Sequence, residues 1–309
     1  MKKFINKICL IIATRDRTVE LFRLLQSLDG QTYQPDSIII VDAGKESDEG
    51  LVSKVPGLQI NYARSAIASA AKQRNTGLGM VSAEITLVGF LDDDIILEPD
   101  ALEMMMEFWE NADNQVGGAA FNMVNCPTLL FSGMKSHSLT KKLGLYSEEE
   151  GRVLSSGFHT MIGQALRVTQ VQWLSSGAAI WRRDIFNEFK FDEWFSGYSY
   201  LEDLDFGYNV SKRYKLFVLP EPKFYHYPSK KGRDNGYIFG KKEILNRVYF
   251  VKKNKELSLV RCYLSLCIRM FISLIGFFSS GEKYYIQRIL GNIVGIVKSA
   301  SIIFKTSKK

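Results

Sequence analysis

Continuous apolar runs that alternate with helix-patterned segments constrain this chain most. Ile8–Ala13 is apolar at every position, Ser37–Asp42 and Ile85–Leu91 are mostly so, and Leu58–Ala63 makes a further strand-like segment. Runs of this kind fit strands covered on both faces. Between them, Leu21, Leu24, Leu25 and Leu28 form one helical face behind a capping Thr18, and a second helix is expected over Ala68–Val81. Pro99 opens a helix running through Trp109, and Gly117–Asn122 reads as another strand. The alternation predicts an α/β fold with a mostly parallel sheet. Ligands of such sheets bind outside the carboxyl ends of the strands, where Thr14-Arg15, Asp42 and Asp92–Asp94 all fall.

The three consecutive aspartates are the chief chemical feature. Like charges ~4 Å apart repel by about 1 kcal/mol even in bulk water, and by more near a protein surface. A divalent cation relieves that repulsion, and carboxylate oxygens suit Mg2+ or Mn2+, which in turn hold nucleotide phosphates. Two other readings stay open on these residues: a solvated acidic turn, or an aspartyl-phosphatase loop. Gln73-Arg74-Asn75 precedes the strand that delivers the aspartates, and Asp42 ends its own strand. Glu202-Asp203, with Asp205 nearby, starts a helix-patterned segment reaching Tyr214. A carboxylate there is favoured by the helix dipole, or serves as the general base that an attacking hydroxyl needs. Adjacent helical residues point about 100° apart, so one of Glu202 and Asp203 faces that hydroxyl. His226, one of three histidines with His137 and His159, follows a short strand Leu216–Leu219 that ends at Pro220. It is either a packed ring or an imidazole completing the carboxylate metal site.

The rest of the chain is less regular at first. Polar, glycine-bearing stretches over residues 123–170 read as loops, Trp173–Trp181 resumes order, and Asp184–Phe195 reads as helix and turn. From Leu257 the character changes. Ser258, Arg261, Ser265, Arg269 and Ser273 form one narrow polar stripe on an otherwise apolar helix, a second apolar segment spans Tyr284–Phe304, and Lys305, Lys308 and Lys309 follow. This pattern predicts helices lying in a membrane surface. A spanning helix would carry Arg261 or Arg269 to depth at about 2.5–3.5 kcal/mol each near the centre. A packed helical cap or a dimer interface is the alternative.

With 309 residues, 46% hydrophobic and 24% charged, the chain is of globular and not of disordered composition. Its net charge of +7 favours an anionic partner. Four scattered cysteines without zinc spacing indicate a reducing compartment, and the short run at Ile8–Ala13 reads as a buried strand, not as a secretory signal.

Taken together, Ile11-Ile12-Ala13-Thr14-Arg15, Ile39-Ile40-Val41-Asp42, Gln73-Arg74-Asn75-Thr76-Gly77, Phe90-Leu91-Asp92-Asp93-Asp94 and Glu202-Asp203-Leu204-Asp205-Phe206 resemble the inverting family 2 glycosyltransferases of the GT-A fold, over about residues 7–230. The resemblance implies a Rossmann-like mixed sheet flanked by helices, in a transferase domain over 1–230 with nucleotide-binding (1–125) and acceptor (126–230) halves. An amphipathic helical region over 231–309 follows. It implies nucleotide-sugar contacts from Thr14, Arg15, Asp42, Arg74, Asp92, Asp93 and Gly177, metal ligation by Asp94, Asp92 and His226 with Mn2+ or Mg2+, and catalysis by Asp203 with Glu202. Ala13 in place of a usual proline and Ala43-Gly44 after Asp42 depart from the family pattern. The tail resembles membrane-associated members that build surface polysaccharide on lipid-linked acceptors. The implied partners are therefore a nucleotide-sugar donor, a saccharide acceptor and a membrane surface through residues 257–309, with no nucleic acid. The implied place is the cytoplasmic side of the cell membrane. A nucleotidyltransferase is disfavoured because Ala13-Thr14-Arg15-Asp16-Arg17 lacks the glycines of its phosphate loop. A scaffold with a decayed transferase domain is the non-enzymatic alternative.

Overall fold

The computed structural model describes residues 3–126, 141, 147–197, 199–229 and 234–304. In chain order the elements are β1 (Ile8–Thr14), α1 (Thr18–Asp29), β2 (Ser37–Asp42), β3 (Ile60–Arg64), α2 (Ala70–Leu78), β4 (Leu87–Asp92), β5 (Ile95–Leu97), α3 (Ala101–Asn111), β6 (Val116–Met123), β7 (Thr169–Val171), β8 (Ala178–Arg182), α4 (Glu202–Ser211), β9 (Lys215–His226), α5 (Gly236–Lys253), α6 (Leu259–Ser280) and α7 (Lys283–Phe304). They group into two units, Met1–Thr128 with Ile162–Gly232, and Leu129–Met161 with Arg233–Lys309. The sequence division at residue 230 therefore moves: the described part of 129–161 belongs with the C-terminal helices. His137, Lys305, Lys308, Lys309 and much of the loop region read over 123–170 lie outside the described residues.

The first unit is an α/β sheet of order β3-β2-β1-β4-β8-β6-β9-β5, with β7 paired to β9. The strands β3, β2, β1 and β4 are mutually parallel, and β8 enters antiparallel between β4 and β6. The apolar runs form the inner strands for the reason that they are apolar on both sides: Ile8, Leu10 and Ile12 pack in one core layer with the α1 leucines, whereas Cys9, Ile11 and Val88 pack in the layer containing Trp181 and Phe206. Thr18 opens α1 as expected, but its hydroxyl donates to Asp48 Oδ1 at 2.6 Å instead of capping the helix.

Two strands differ from the sequence reading, and both build the site. The expected Leu216–Leu219 strand does not stop at Pro220; β9 continues to His226. The prolines are tolerated because the β6–β9 ladder shifts register between Ala120 and Asn122, where the missing N–H breaks no regular pairing, and Asn122 Nδ2 donates to the Pro220 carbonyl at 2.8 Å. The extension then receives β5, with Ile95 opposite His226. Asp93 and Asp94 thus occupy the turn between a central strand and an edge strand.

The second unit contains α5, α6 and α7. Successive positions of α5 meet successive positions of α7: Gly236 lies against Tyr284, Gly240 against Arg288 and Ile244 against Gly295. The two helices therefore run parallel. A Cβ on Gly240 or Gly291 would overlap the facing backbone, so glycine permits this close approach. Within the seam the buried Glu243 carboxylate accepts from Arg288 Nε and Nη2, at 3.0 and 2.7 Å, and from Asn292 Nδ2 at 3.2 Å.

Candidate active site

The carboxyl ends of β1, β2 and β4 deliver Thr14, Asp42 and Asp92 side by side, since Thr14 is in register with Asp42 and Ala13 with Asp92. Gln73 on α2 ties two of these ends together, donating to the carbonyls of Thr14 at 2.9 Å and Val41 at 2.7 Å. Around them stand five carboxylates, Asp92, Asp93, Asp94, Glu202 and Asp203, with the guanidiniums of Arg17 and Arg74. Negative charge exceeds positive.

Arg74 is buried and bridges two elements. Its Nη1 donates to Glu202 Oε1 at 2.7 Å and its Nη2 to Asp92 Oδ1 at 3.0 Å. Asp92 also explains Gly177, because a Cβ there would lie 2.5 Å from Asp92 Oδ2. Asp92 is thus brought to Arg74 and Gly177. Thr14 and Asp93 join a different set: Thr14 Oγ1 donates to Asp93 Oδ2 at 2.8 Å and Arg17 Nη1 to Asp93 Oδ1 at 2.7 Å.

Arg17, not Arg15, reaches the aspartates. Asp16 has a left-handed backbone, φ 53°, which turns the chain between them. Arg15 is left half-exposed beside Asp16 at 3.6 Å. Asp42 is wholly buried, with both oxygens engaged: Oδ1 accepts from the Gly44 amide at 2.6 Å, and Oδ2 accepts from Tyr62 and Arg64. Arg64 also donates to the carbonyls of Gly44 and Glu46 and so fastens the loop after β2. Sequence reasoning missed Arg64, although the β2–β3 register pairs it directly with Asp42.

Asp94 and His226 come together, with Oδ1 and Nε2 3.1 Å apart. Asn125 holds the His226 backbone from both sides, at 2.9 and 2.8 Å, and the Ser229 amide donates to Asp94 Oδ2 at 3.1 Å. Cis donors of an octahedral ion at about 2.1 Å stand about 3 Å apart, so this pair fits two positions of a Mg2+ or Mn2+ site. Among the described residues no group of three or more His, Cys, Asp or Glu is arranged around one point. The expected three-residue set with Asp92 is therefore not assembled among the described residues; Asp94 and His226 alone would hold such an ion, which would supply positive charge to a phosphate. A cleft of about 330 Å³ adjoins Asp94, lined by Glu20, Arg23, Tyr227 and Ser229 among others.

The electrostatics follow from burial and crowding. Burial lifts Asp93 to about 7; Arg17 and Thr14 oppose the shift, and Asp94 adds to it. Glu202 rises to about 8 through burial and the neighbouring Asp203, with Arg74 offsetting only part. Asp203 is also raised, mainly by burial. For Asp94 burial is outweighed by the His226 and Ser229 bonds and by the charges of His226 and Arg17, so its pKa is lowered. Because the folded values of Asp93 and Glu202 exceed their ordinary 3.8 and 4.5, their contribution to stability is complete below about pH 4 and is lost as pH rises to about 8. The melting temperature of the ligand-free protein is therefore expected to fall across that window, and Glu202→Gln to flatten the fall. A melting profile in which the wild type and Glu202→Gln have the same slope would refute the assignment.

Glu202 and Asp203 begin α4 directly after Leu201, whose backbone is left-handed with φ 78°. For a non-glycine residue this costs about 1–2 kcal/mol. It turns the chain so that Glu202 is buried against Arg74 while Asp203 remains partly open, its Oδ1 accepting from the Leu204 amide at 2.7 Å. The two acids that the sequence offered together are thereby separated: one is structural partner to Arg74, the other is accessible.

The family model for Glycosyl transferase family 2 matches residues 9–189, more than half of the chain. The chain belongs to glycosyl transferase family 2. The chain is 34% identical over 110 residues to the uncharacterized glycosyltransferase YwdF of Bacillus subtilis (strain 168), a stretch covering 35% of this chain and 40% of that protein. The chain thus spans about two fifths of the length of this curated relative. Among solved structures, TarS 1-349 of S. aureus aligns with a TM-score of 0.57 at 15% identity, covering 95% of this chain and 80% of that one. The crystal structure of TarS 1-349 in complex with UDP-GlcNAc aligns with a TM-score of 0.56 at 17% identity, covering 95% and 81%. A longer TarS chain is covered over 42% of its length, with a TM-score of 0.52 at 17% identity. At these identities the likeness is one of fold.

Proposed function

We propose that this family 2 chain is a metal-assisted, inverting glycosyltransferase that moves a sugar from a nucleotide-sugar donor to a hydroxyl of a saccharide acceptor. The observation that carries the reading is the site itself: five carboxylates at strand and helix ends, two guanidiniums, and a partly open Asp203 with a raised pKa. The fold shared with a protein crystallised with UDP-GlcNAc supports a UDP-sugar as donor.

Asp203 removes the proton of the acceptor hydroxyl as that oxygen bonds to the anomeric carbon, and the bond from that carbon to the diphosphate breaks on the opposite face. Arg74 holds Asp92 and Glu202 in place, and Arg17 holds Asp93 beside Asp94. Asp94 and His226 would hold Mn2+ or Mg2+, which when bound supplies positive charge to the departing diphosphate. The tail, basic and apolar, supports a lipid-linked acceptor and a place on the inner face of the cell membrane.

The test is thermal stabilisation and hydrolysis across a panel of nucleotide sugars, with and without manganese. A UDP-sugar is expected to stabilise the protein only with the metal. Asp94→Asn is expected to lower metal-dependent donor affinity in calorimetry by about tenfold or more, the size of loss seen even for groups one step removed from a metal. Unchanged affinity would overturn the metal assignment, and no stabilisation by any nucleotide sugar would overturn the function.

A further inference from the structure

Both long tail helices bury small or polar side chains and expose large apolar ones, with Cys262, Leu266 and Ile302 as buried apolar exceptions. On α6 Ser265 and Ser273 are buried, while the exposed arginines of the same stripe reach back into the fold: Arg261 Nη1 donates to Ser155 Oγ at 2.6 Å, and Arg269 pairs with the buried Glu243 at 3.5 Å. Much of the apolar surface lies open, with Val260 80%, Phe271 62% and Phe278 77% exposed. On α7 the small and polar Gly291, Asn292, Gly295 and Ser299 are buried, while Val297 is 72% and Phe304 80% exposed. Helices packed by their polar sides, with apolar strips outward, have the polarity expected against lipid.

Both helices are also long and apolar enough to cross a membrane, 22 residues each with mean hydropathy 1.8 and 1.3. The α5–α7 pairing argues against crossing. The two helices run parallel from Gly236 beside Tyr284 to Lys252, whose Nζ donates to the Ile302 and Ile303 carbonyls. Cations at Lys241, Lys242, Arg247, Lys252 and Lys253 are spread along α5. Carrying α7 across hydrocarbon would carry these with it, at a cost for each. Laying α7 in the interface leaves them at the headgroups. Charge points to the same partner: residues 233–309 hold fifteen Lys and Arg against four Asp and Glu, while the rest of the chain is net acidic.

We propose that α6 and α7 form a monotopic anchor that lays its apolar strips into one leaflet of an anionic bilayer without crossing it. The proposal rests on the membrane-surface placement above and fixes its mode. The test adds full-length protein to sealed preformed vesicles. It is expected to float with phosphatidylglycerol-containing vesicles and much less with phosphatidylcholine alone. The double variant Phe278→Glu, Val297→Glu, altered only at exposed sites, is expected to lose about tenfold or more of that partitioning. For mode, Glu282→Cys in a chain with Cys126→Ser and Cys267→Ser is expected to react with an impermeant maleimide without detergent. Protection until detergent is added would mean a crossing hairpin and overturn the proposal. Absence of flotation, together with a dimer that the double variant dissociates, would overturn it in favour of a second copy. Donor hydrolysis unchanged in the double variant, and flotation unchanged in Asp203→Asn, keep this result separate from the transferase reading.

Discussion

Asp203→Asn is expected to lower sugar transfer by about 10²–10⁴-fold, the usual contribution of a positioned general base, while donor binding is retained. The expectation rests on the division of labour at the start of α4. Glu202 is buried and bound to Arg74, so it is not free to take a proton from an acceptor. Asp203 keeps one face open, and its Oδ1 accepts from the Leu204 amide. Its pKa is raised, chiefly by burial, with the charge of Asp92 adding and the Leu204 amide and Arg74 opposing. A base must be ionised to act, so the acidic limb of the pH–rate profile is expected above the ordinary 3.8 of an aspartate. That limb should vanish in the asparagine variant. Transfer at the native rate by Asp203→Asn would refute the base assignment.

Removing Arg74 is expected to cause the largest loss of stability. Arg74→Met leaves Glu202 and Asp92 facing each other near Asp203 without the cation that bonds them at 2.7 and 3.0 Å. Breaking a buried pair from one side costs about 3–5 kcal/mol. Arg74→Lys is expected to fail also, since one ammonium cannot reproduce the planar fork that reaches two carboxylates on different elements. Measured above about pH 8, adding Glu202→Gln to Arg74→Met should recover part of the loss, because there Glu202 would otherwise be ionised without its cation. Urea unfolding reads all three. A loss for Arg74→Met within about 0.5 kcal/mol, the range of ordinary surface changes, would show that the bridge contributes nothing.

Much of this arrangement was legible in the residues. The apolar runs gave the strands β1, β2 and β4 almost to the residue, because a strand covered on both sides has no polar position to blur its ends. Asp92–Asp94 stood out in the sequence because three adjacent carboxylates after a strand repel one another, whereas Arg74 and Glu202-Asp203 were joined to them only by the family resemblance. What escaped depended on backbone turns and on pairing distant in sequence. Past the left-handed Asp16, Arg17 reaches the aspartates, and a register shift lets β9 run past two prolines. The bond from the Thr14 hydroxyl to Asp93 escaped for the same reason: the two lie 79 positions apart and meet at 2.8 Å. In the tail the stripe of serines and arginines was visible at helical spacing, but the direction it faces depends on Glu243, in another helix.

The pairing of β5 with β9 has a further consequence. Short as it is, it fixes the two ends of the turn that bears Asp93 and Asp94, with Tyr227 N donating to the Asp94 carbonyl at 2.8 Å. Folding itself therefore brings the like charges together, before any ligand arrives. On the proposed reading, an incoming cation and diphosphate would meet a turn whose ordering entropy has already been met, which would favour affinity through preorganisation instead of through additional contacts. By the same logic, loosening this turn would weaken donor capture without removing a single residue that touches it.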